Sequence, residues 1–140
     1  MLVDTGKSGG KRKRDVTQIT SAAYTATGIV WTMSATSTPL FVPFVPSEVS
    51  ISYVYWSQDE NDPGNYNFTT NLYGIKEDGT EDLIDTFTVS DRWGNSSGTT
   101  TRKLTTSEEF IKIKIASGTW WKYKSGSKLS FTITKGTVIV

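Results

Sequence analysis

The sequence predicts an all-β protein: an antiparallel two-sheet β-sandwich, jelly-roll-like, with an extended N-terminal arm. Three observations predict this fold. Apolar and polar residues alternate along most of the chain, as in half-buried strands. Turn-forming residues recur at intervals of about 10 residues. Ser and Thr together occupy 38 of the 140 positions, and no segment has the period of an amphipathic helix. A closed barrel would give the same pattern and stays open as an alternative.

The composition excludes several classes of site. The chain has no Cys and no His, so disulfides, zinc knuckles, cysteine nucleophiles and histidine-based acid–base catalysis are ruled out. No apolar run approaches the roughly 18 residues of a membrane helix, and the N-terminal segment lacks the apolar region of a signal peptide. We therefore expect a protein that is not an enzyme, needs no cofactor or metal, and does not enter membranes.

Positive charge is concentrated at the start of the chain, although the net charge of the whole sequence is only +1. The basic residues of this segment are Lys7, Lys11, Arg12, Lys13 and Arg14. With its glycines and few apolar side chains, the segment is predicted to be an arm over residues 1–15, followed by one sandwich domain over residues 16–140. We expect the arm to dock onto an acidic surface in an assembly. A solvated leader is the alternative.

The first half of the sandwich is predicted to contain four strands. They are Val16–Thr20, Ile29–Ala35, Val49–Trp56 and Asn67–Lys76. In the second of these strands, Ile29, Trp31 and Met33 are expected to share one face. Three prolines between residues 39 and 46 predict an extended crossover before the third strand, because proline interrupts a central strand. Apolar residues such as Phe41 are expected to anchor that crossover.

The second half is predicted to contain four more strands. Asp78-Gly79 predicts a tight hairpin turn before the first of them, in which Leu83 is expected to point inward. The strands are Asp82–Ser90, Thr101–Leu104, Phe110–Ala116 and Lys128–Thr134, with an apolar tail over Thr137–Val140. Residues 91–100 and 117–127 are predicted as long polar loops.

Strands that run alternately up and down would bring three connections to one end of the sandwich. These connections carry four of the five tryptophans, while both termini are expected at the opposite end. The candidate binding residues are Trp56, Asp59, Asn61, Tyr66, Arg92, Trp93, Asn95, Trp120, Trp121 and Tyr123. Aromatic rings can stack on the C–H face of a sugar while polar groups bind its hydroxyls, and the same residues suit a protein interface. Rings that plug the ends of the core are the alternative.

The loop over residues 59–65 contains several acidic and amide side chains. Their oxygens suit calcium, but the spacing does not match an EF-hand, so a solvated acidic loop is the preferred interpretation. Glycoside hydrolysis would need two carboxylates on opposite sides of a bond. Asp59, Glu60 and Asp91 are the available carboxylates here, and nothing in their spacing places two of them so.

Four segments carry a family resemblance over Val49 to Thr134: "ISYVYW", "NLYGIKEDGTEDLIDTFTVS", "EEFIKIKIASG" and "KLSFTIT". This stretch resembles the galactose-binding-like jelly-roll sandwiches, which include carbohydrate-binding modules and domains of bacteriophage tail and baseplate proteins. The resemblance implies ligand binding by loops at one end, often with a structural calcium.

The basic arm and the missing signal peptide favour one setting among these proteins, a bacteriophage virion assembled in the host cytoplasm. We therefore predict a multi-copy tail, baseplate or capsid decoration protein. Its expected partners are other virion proteins and cell-surface carbohydrate, and nucleic acid is not expected. A stand-alone carbohydrate-binding module or lectin is the alternative.

Overall fold

The computed structural model describes residues 13–59 and 61–139, and within them the regular elements are eight β-strands. The strands are β1 (Lys13–Thr25), β2 (Val30–Thr36), β3 (Phe44–Trp56), β4 (Tyr66–Ile75), β5 (Glu81–Asp91), β6 (Asn95–Lys103), β7 (Lys112–Tyr123) and β8 (Lys128–Ile139). All strand pairings are antiparallel. In this part of the chain, no helix has the length and apolar character needed to cross a membrane. The all-β prediction is confirmed.

The strands form two four-stranded sheets, in the orders β1-β8-β3-β6 and β2-β7-β4-β5. Consecutive strands of β1 to β4 alternate between the sheets, and β5 follows β4 through a hairpin within one sheet. This order is that of an eight-stranded jelly roll, in which two Greek keys are wrapped together. The predicted sandwich is therefore confirmed, and the strands form two separate sheets rather than a closed barrel.

The core lies between the two sheets and is built from the inward residues of each strand. On β3, Val49, Ile51 and Tyr55 are buried and form the inward face of that strand. The ring of Tyr55 stacks on Phe68 of β4 at a centroid distance of 5.1 Å. On β7, the inward face includes the buried Ile113 and matches the predicted alternation with lysines.

A chain of hydroxyl groups crosses this apolar core. The hydroxyl of Tyr55 lies 2.6 Å from Thr70 Oγ1, and Thr70 Oγ1 donates to Ser117 Oγ at 3.2 Å. Ser117 Oγ in turn lies 2.8 Å from the hydroxyl of Tyr123. Because each buried hydroxyl has a partner, two tyrosines can occupy the core without an unpaired polar atom.

The start of β1 corrects the predicted boundary of the arm. Lys13 and Arg14 are strand residues, paired in register with Ile139 and Val138 of β8. Their backbone therefore belongs to the sandwich, because the predicted C-terminal tail continues β8 and offers them a partner strand. The other three basic residues of the predicted arm, Lys7, Lys11 and Arg12, lie outside the described residues.

Two β-bulges place large apolar side chains on the surface. Trp31 is 57% exposed, because the pairing of β2 with β7 shifts register between Val30 and Thr32. Leu83 is also 57% exposed, because the pairing of β5 with β4 shifts at this point and leaves Ile84 facing the core. A bulge reverses the faces to which the following residues point. Trp31 therefore does not share the buried face of Met33 as predicted, and the inward prediction for Leu83 was wrong.

The proline-rich crossover is shorter than predicted. β3 already begins at Phe44 and contains Pro46, at a register shift in its pairing with β8. β6 pairs with β3 only from Glu48 onward, so Pro46 interrupts no ladder on that side. Phe44 is fully buried, whereas Phe41 is fully exposed, and the prediction that Phe41 anchors the crossover was wrong.

The turn between β4 and β5 forms where the Asp78-Gly79 pair predicts it. Gly79 has φ +88°, and Asp78 Oδ1 accepts a hydrogen bond from the backbone N–H of Thr80 at 2.9 Å. A residue with a side chain would be strained in that left-handed conformation. The two long loops predicted over 91–100 and 117–127 are instead mostly strand, because β6 begins at Asn95 and β7 continues to Tyr123.

Candidate functional site

One end of the sandwich, which we call the tryptophan pole, is formed by the β1–β2, β3–β4, β5–β6 and β7–β8 connections. Backbone hydrogen bonds join these connections directly. The N–H of Ser57 donates to the carbonyl of Gly94 at 2.6 Å, and the N–H of Lys124 donates to the carbonyl of Trp56 at 2.8 Å. The three connections that strand alternation places at one end of the sandwich therefore do meet there. The β1–β2 connection joins them through the backbone of Ala26.

Trp120 is held in the open at this pole. Its side chain is 58% exposed, and its ring stacks on that of Tyr66 with a centroid distance of 5.8 Å and an interplanar angle of 17°. Tyr66 is buried, and its hydroxyl donates to the carbonyl of Asp59 at 2.9 Å. Trp121 packs against the core and contacts the edge of Trp120. These contacts fix an exposed indole ring without covering it.

The β5–β6 turn presents a second indole. Asp91 Oδ1 accepts hydrogen bonds from the N–H groups of Trp93 at 2.7 Å and Asn95 at 3.1 Å. A Cβ on Gly94, whose φ is +77°, would lie 2.6 Å from the Cβ of Ser57, so the tight turn requires glycine here. Trp93 is 50% exposed, and the guanidinium of Arg92 lies over its ring.

Trp56, at the end of β3, has a mainly structural environment. It is half-buried, and a Cβ on Gly126 would lie 2.8 Å from its Cζ3 atom. The backbone N–H of Trp56 donates to Ser127 Oγ at 3.2 Å. The ammonium of Lys124 lies 5.2 Å from the centroid of its ring. Trp56 therefore braces the β7–β8 turn, with one part of its ring left accessible.

The fifth tryptophan, Trp31, also lies at this pole and was missed by the sequence interpretation. Val30 pairs with Tyr123 and Thr32 pairs with Gly118, so the four residues 119–122 of β7 stand opposite Trp31 alone. We call this segment the β7 bulge. It places the ammonium of Lys122 at 5.1 Å from the centroid of the Trp31 ring. A bulge of this kind leaves no signal in the alternation of the sequence.

The structure brings most of the predicted binding residues together at the tryptophan pole, but not all on its surface. Asp59, Asn61, Arg92 and Asn95 are exposed there, beside Trp93 and Trp120. Tyr66 and Tyr123 are buried and Trp121 is half-buried. Tyr123 faces the core because β7 continues as a strand to this residue, and burial raises the pKa of its phenol. Tyr66 and Tyr123 can support a surface ligand only indirectly.

A shallow depression of ≈ 340 Å³ lies beside the β5–β6 turn. It is lined by Asn65, Asn67, Ser90, Asp91 and Arg92. Ser90 Oγ donates to Asn67 Oδ1 at 2.7 Å, which orients that amide. The lining offers carboxylate, amide and guanidinium groups, which are the partners that sugar hydroxyls need. Among the residues with described positions, no three acidic side chains come together as a metal site.

Comparison with known proteins finds similarity in structure only. No protein-family model matches the chain, and no curated protein matches its sequence. A CBM4 carbohydrate-binding module matches with a TM-score of 0.43 and 11% identity, over 96% of this chain and 83% of the module. The infectious bursal disease virus Gx strain structure matches with a TM-score of 0.41 and 14% identity, over 99% of this chain and 40% of that one.

Enzymes also occur among the similar structures. An aminopeptidase from a marine sediment Thaumarchaeota archaeon matches with a TM-score of 0.44 and 8% identity, over 79% of this chain. This chain spans only 25% of that enzyme, and likewise 25% of an alpha-amino acid ester hydrolase.

Proposed function

We propose that this chain is a non-enzymatic β-sandwich that binds carbohydrate at the tryptophan pole and serves as a structural protein of a bacteriophage virion, on its tail, baseplate or capsid surface. The single observation that carries the binding proposal is the exposed Trp120 ring, stacked on the buried Tyr66. An indole fixed in this way can receive a sugar ring without losing side-chain entropy of its own.

The surroundings of Trp120 support carbohydrate as the ligand class. A pyranose presents a C–H face that packs on an aromatic ring and a rim of hydroxyls that requires planar polar partners. At the same pole, the carboxylate of Asp91, the amides of Asn65 and Asn67 and the guanidinium of Arg92 line a shallow depression. Loops on a rigid sheet scaffold are also the usual place for such sites.

The virion part of the proposal is supported by the position of the N-terminal end of the sandwich, which lies opposite the tryptophan pole. β1 begins at Lys13, which pairs with Ile139 at the end of the sandwich opposite the tryptophan pole. Three of the five basic residues of the predicted arm, Lys7, Lys11 and Arg12, precede Lys13. A molecule attached through this end would present the tryptophan pole outward. A stand-alone carbohydrate-binding module is the second candidate, favoured by the same Trp120 platform but needing no attachment.

Trp120→Ala is expected to lower glycan affinity by at least about tenfold, since it removes the stacking surface while the fold keeps its core. Wild type and variant would be compared on a glycan array, followed by calorimetric titration of the best ligand. Phe41→Ala is the matched control, because Phe41 is a fully exposed aromatic residue at the other end of the sandwich. Equal binding by wild type and Trp120→Ala would refute the site, and no glycan signal for the wild type would refute the function.

Removal of residues 1–12 is expected to abolish incorporation into virions while leaving glycan binding unchanged, because the shortened chain keeps all of the described strand β1, Lys13–Thr25. Particles assembled with tagged full-length or shortened protein would be purified and probed for the tag. A variant with Lys7, Lys11 and Arg12 changed to Gln tests whether charge is the cause. Normal incorporation of the shortened protein would favour the stand-alone module instead.

A further inference from the structure

Four cations on the two sheets and their connections are held by carboxylates. Four ion pairs are Lys76 with Glu108, Arg102 with Asp85, Lys114 with Glu81 and Lys135 with Glu48. In the pair on the β5–β6 edge, the guanidinium of Arg102 bonds both carboxylate oxygens of Asp85. Such pairs neutralise their charges within the protein and leave little for a ligand to recognise.

Two cations of the tryptophan pole have a different environment. Lys122 lies 5.1 Å from the ring centroid of Trp31, and Arg92 lies 5.8 Å from that of Trp93. Neither has a carboxylate at ion-pair distance among residues 13–59 and 61–139. Both indole rings are at least half exposed. The two cations therefore lie over exposed aromatic rings, and no described residue forms an ion pair with either of them.

The β7 bulge, which brings Lys122 over Trp31, contains buried polar atoms without hydrogen-bond partners among the described residues and so lowers stability. Two of its buried polar atoms, Thr119 Oγ1 and Trp121 Nε1, have no hydrogen-bond partner within the described residues. Leaving such groups buried without a hydrogen-bond partner is unfavourable. Bulges with this kind of cost commonly re-aim side chains beside binding sites. Here the bulge presents Trp120 and brings Lys122 over Trp31.

From this geometry we propose that the carbohydrate bound at the tryptophan pole is acidic, carrying carboxylate or sulfate groups on its sugar rings. The proposal rests on the proposed glycan-binding function and adds the ligand class. Lys122 covers part of the Trp31 ring and Arg92 part of the Trp93 ring, so these two indoles are less suited to a neutral sugar than Trp120 is. An anionic group can instead bind each cation directly.

The spacing of Trp120 and Lys122 along the β7 bulge suits a ligand that stacks on the first residue and binds the second through an acidic group. Trp120 and Lys122 are two residues apart, which corresponds to about 6–7 Å in an extended chain. That distance is close to the length of one sugar residue. One sugar would therefore stack on Trp120 while the acidic group of the same or the next sugar reaches Lys122. Single-stranded nucleic acid has stackable rings and negative charge too, but it usually requires a larger basic surface than this pole offers.

The test compares three main probes that differ in charge and chemistry, and a fourth that carries sulfate. They are an oligomer of a hexuronic acid, the same oligomer after reduction of its carboxyl groups to alcohols, and a single-stranded oligonucleotide of similar length. A sulfated oligomer is added to distinguish sulfate from carboxylate. The full chain is titrated calorimetrically with each probe at low and at physiological salt. Lys122→Gln and Arg92→Gln are compared with Lys103→Gln, an exposed lysine at the far end of β6.

We expect the wild type to bind the acidic oligomer about tenfold or more tightly than its reduced form, with salt weakening only the acidic probe. Lys122→Gln should remove most of that preference, and Lys103→Gln should retain it. Equal affinity for both oligomers would overturn this inference and leave the proposed function standing. Binding to neither would overturn both. Tighter binding to the oligonucleotide than to either sugar would replace carbohydrate by nucleic acid. Circular dichroism confirms that each variant folds.

Discussion

Replacing Phe110 by alanine is expected to lower the free energy of unfolding by about 3–5 kcal/mol. Phe110 lies between β6 and β7, outside the strands, yet its side chain is fully buried. Its backbone exchanges both hydrogen bonds with Phe44 at 2.9 Å, which ties this link to the start of β3. The ring packs where a Cβ on Gly74 would lie only 2.4 Å from its atoms. Phe110 thus joins the two sheets at the end opposite the tryptophan pole.

The contact between Phe110 and Gly74 allows a sharper form of the same experiment. In the wild type, Gly74→Ala should cost about 1–3 kcal/mol, because the added methyl group overlaps a rigid buried ring. In the Phe110→Ala background, the same methyl group has space and should cost little or even stabilise. Urea unfolding of the two single variants and the double variant measures this coupling.

Two outcomes of that cycle would contradict the packing described. Strict additivity of the two substitutions would show that Gly74 and Phe110 do not share the same space. A loss below about 1 kcal/mol for Phe110→Ala would show that its ring is not an essential part of the core. Phe41→Ala serves as the control, because this fully exposed ring should change stability by no more than about 0.5 kcal/mol.

Alternation and turn chemistry were sufficient to predict the fold class and several elements. β3 was predicted as a strand because Val49, Ile51 and Tyr55 recur at every second or fourth position along it. The hairpin at Asp78-Gly79 was predicted because its φ requirement is local. From eight alternating strands, the meeting of the loops at one pole followed without knowledge of the sheet order. Local chemistry and chain direction were enough for these features.

The errors occur where tertiary pairing overrides the local pattern. β6 is an edge strand almost without apolar residues, so its start at Asn95 could not be recognised from the sequence. The strand is held by pairing with β3, including a contact between the hydroxyls of Ser52 and Thr99. The faces of Trp31 and Leu83 depend on bulges in the pairing with neighbouring strands. A bulge is a property of two strands together, and a single strand's sequence does not encode it visibly.

In the candidate site too, some features could be predicted from the sequence and others depend on tertiary pairing. The gathering of Trp93 and Trp120 at one end followed from strand direction, whereas the roles of the tyrosines did not. Tyr66 is a buried support beneath Trp120, and Tyr123 is a core residue bonded to Ser117. Which aromatic ring faces outward depends on how β7 leaves the sheet after Gly118, where its pairing with β4 ends.

Stability is expected to fall steeply above about pH 10, because two phenols of the core can ionise only in the unfolded chain. Burial raises the pKa of Tyr55 and of Tyr123, and the hydrogen bonds with Ser117 and neighbouring hydroxyls lower them by less. A raised folded-state pKa means that the folded protein keeps its protons while the unfolded chain releases them. The contribution is therefore complete below the unfolded pKa and is lost as the pH rises above it.

Each of these tyrosines should contribute at most about 1.4 kcal/mol per pH unit to the slope, so the two together contribute at most about 2.7 kcal/mol per pH unit. Urea unfolding between pH 8 and 11.5 would measure the slope, in high salt so that the loss of surface lysine ion pairs contributes little. Tyr123→Phe keeps the ring and removes one ionisable group, so its slope should be shallower by about one proton. A flat profile, or an unchanged slope in Tyr123→Phe, would show that these phenols do not stay protonated in the core. Absorbance at 295 nm during the titration distinguishes ionisation within the folded state from ionisation that follows unfolding.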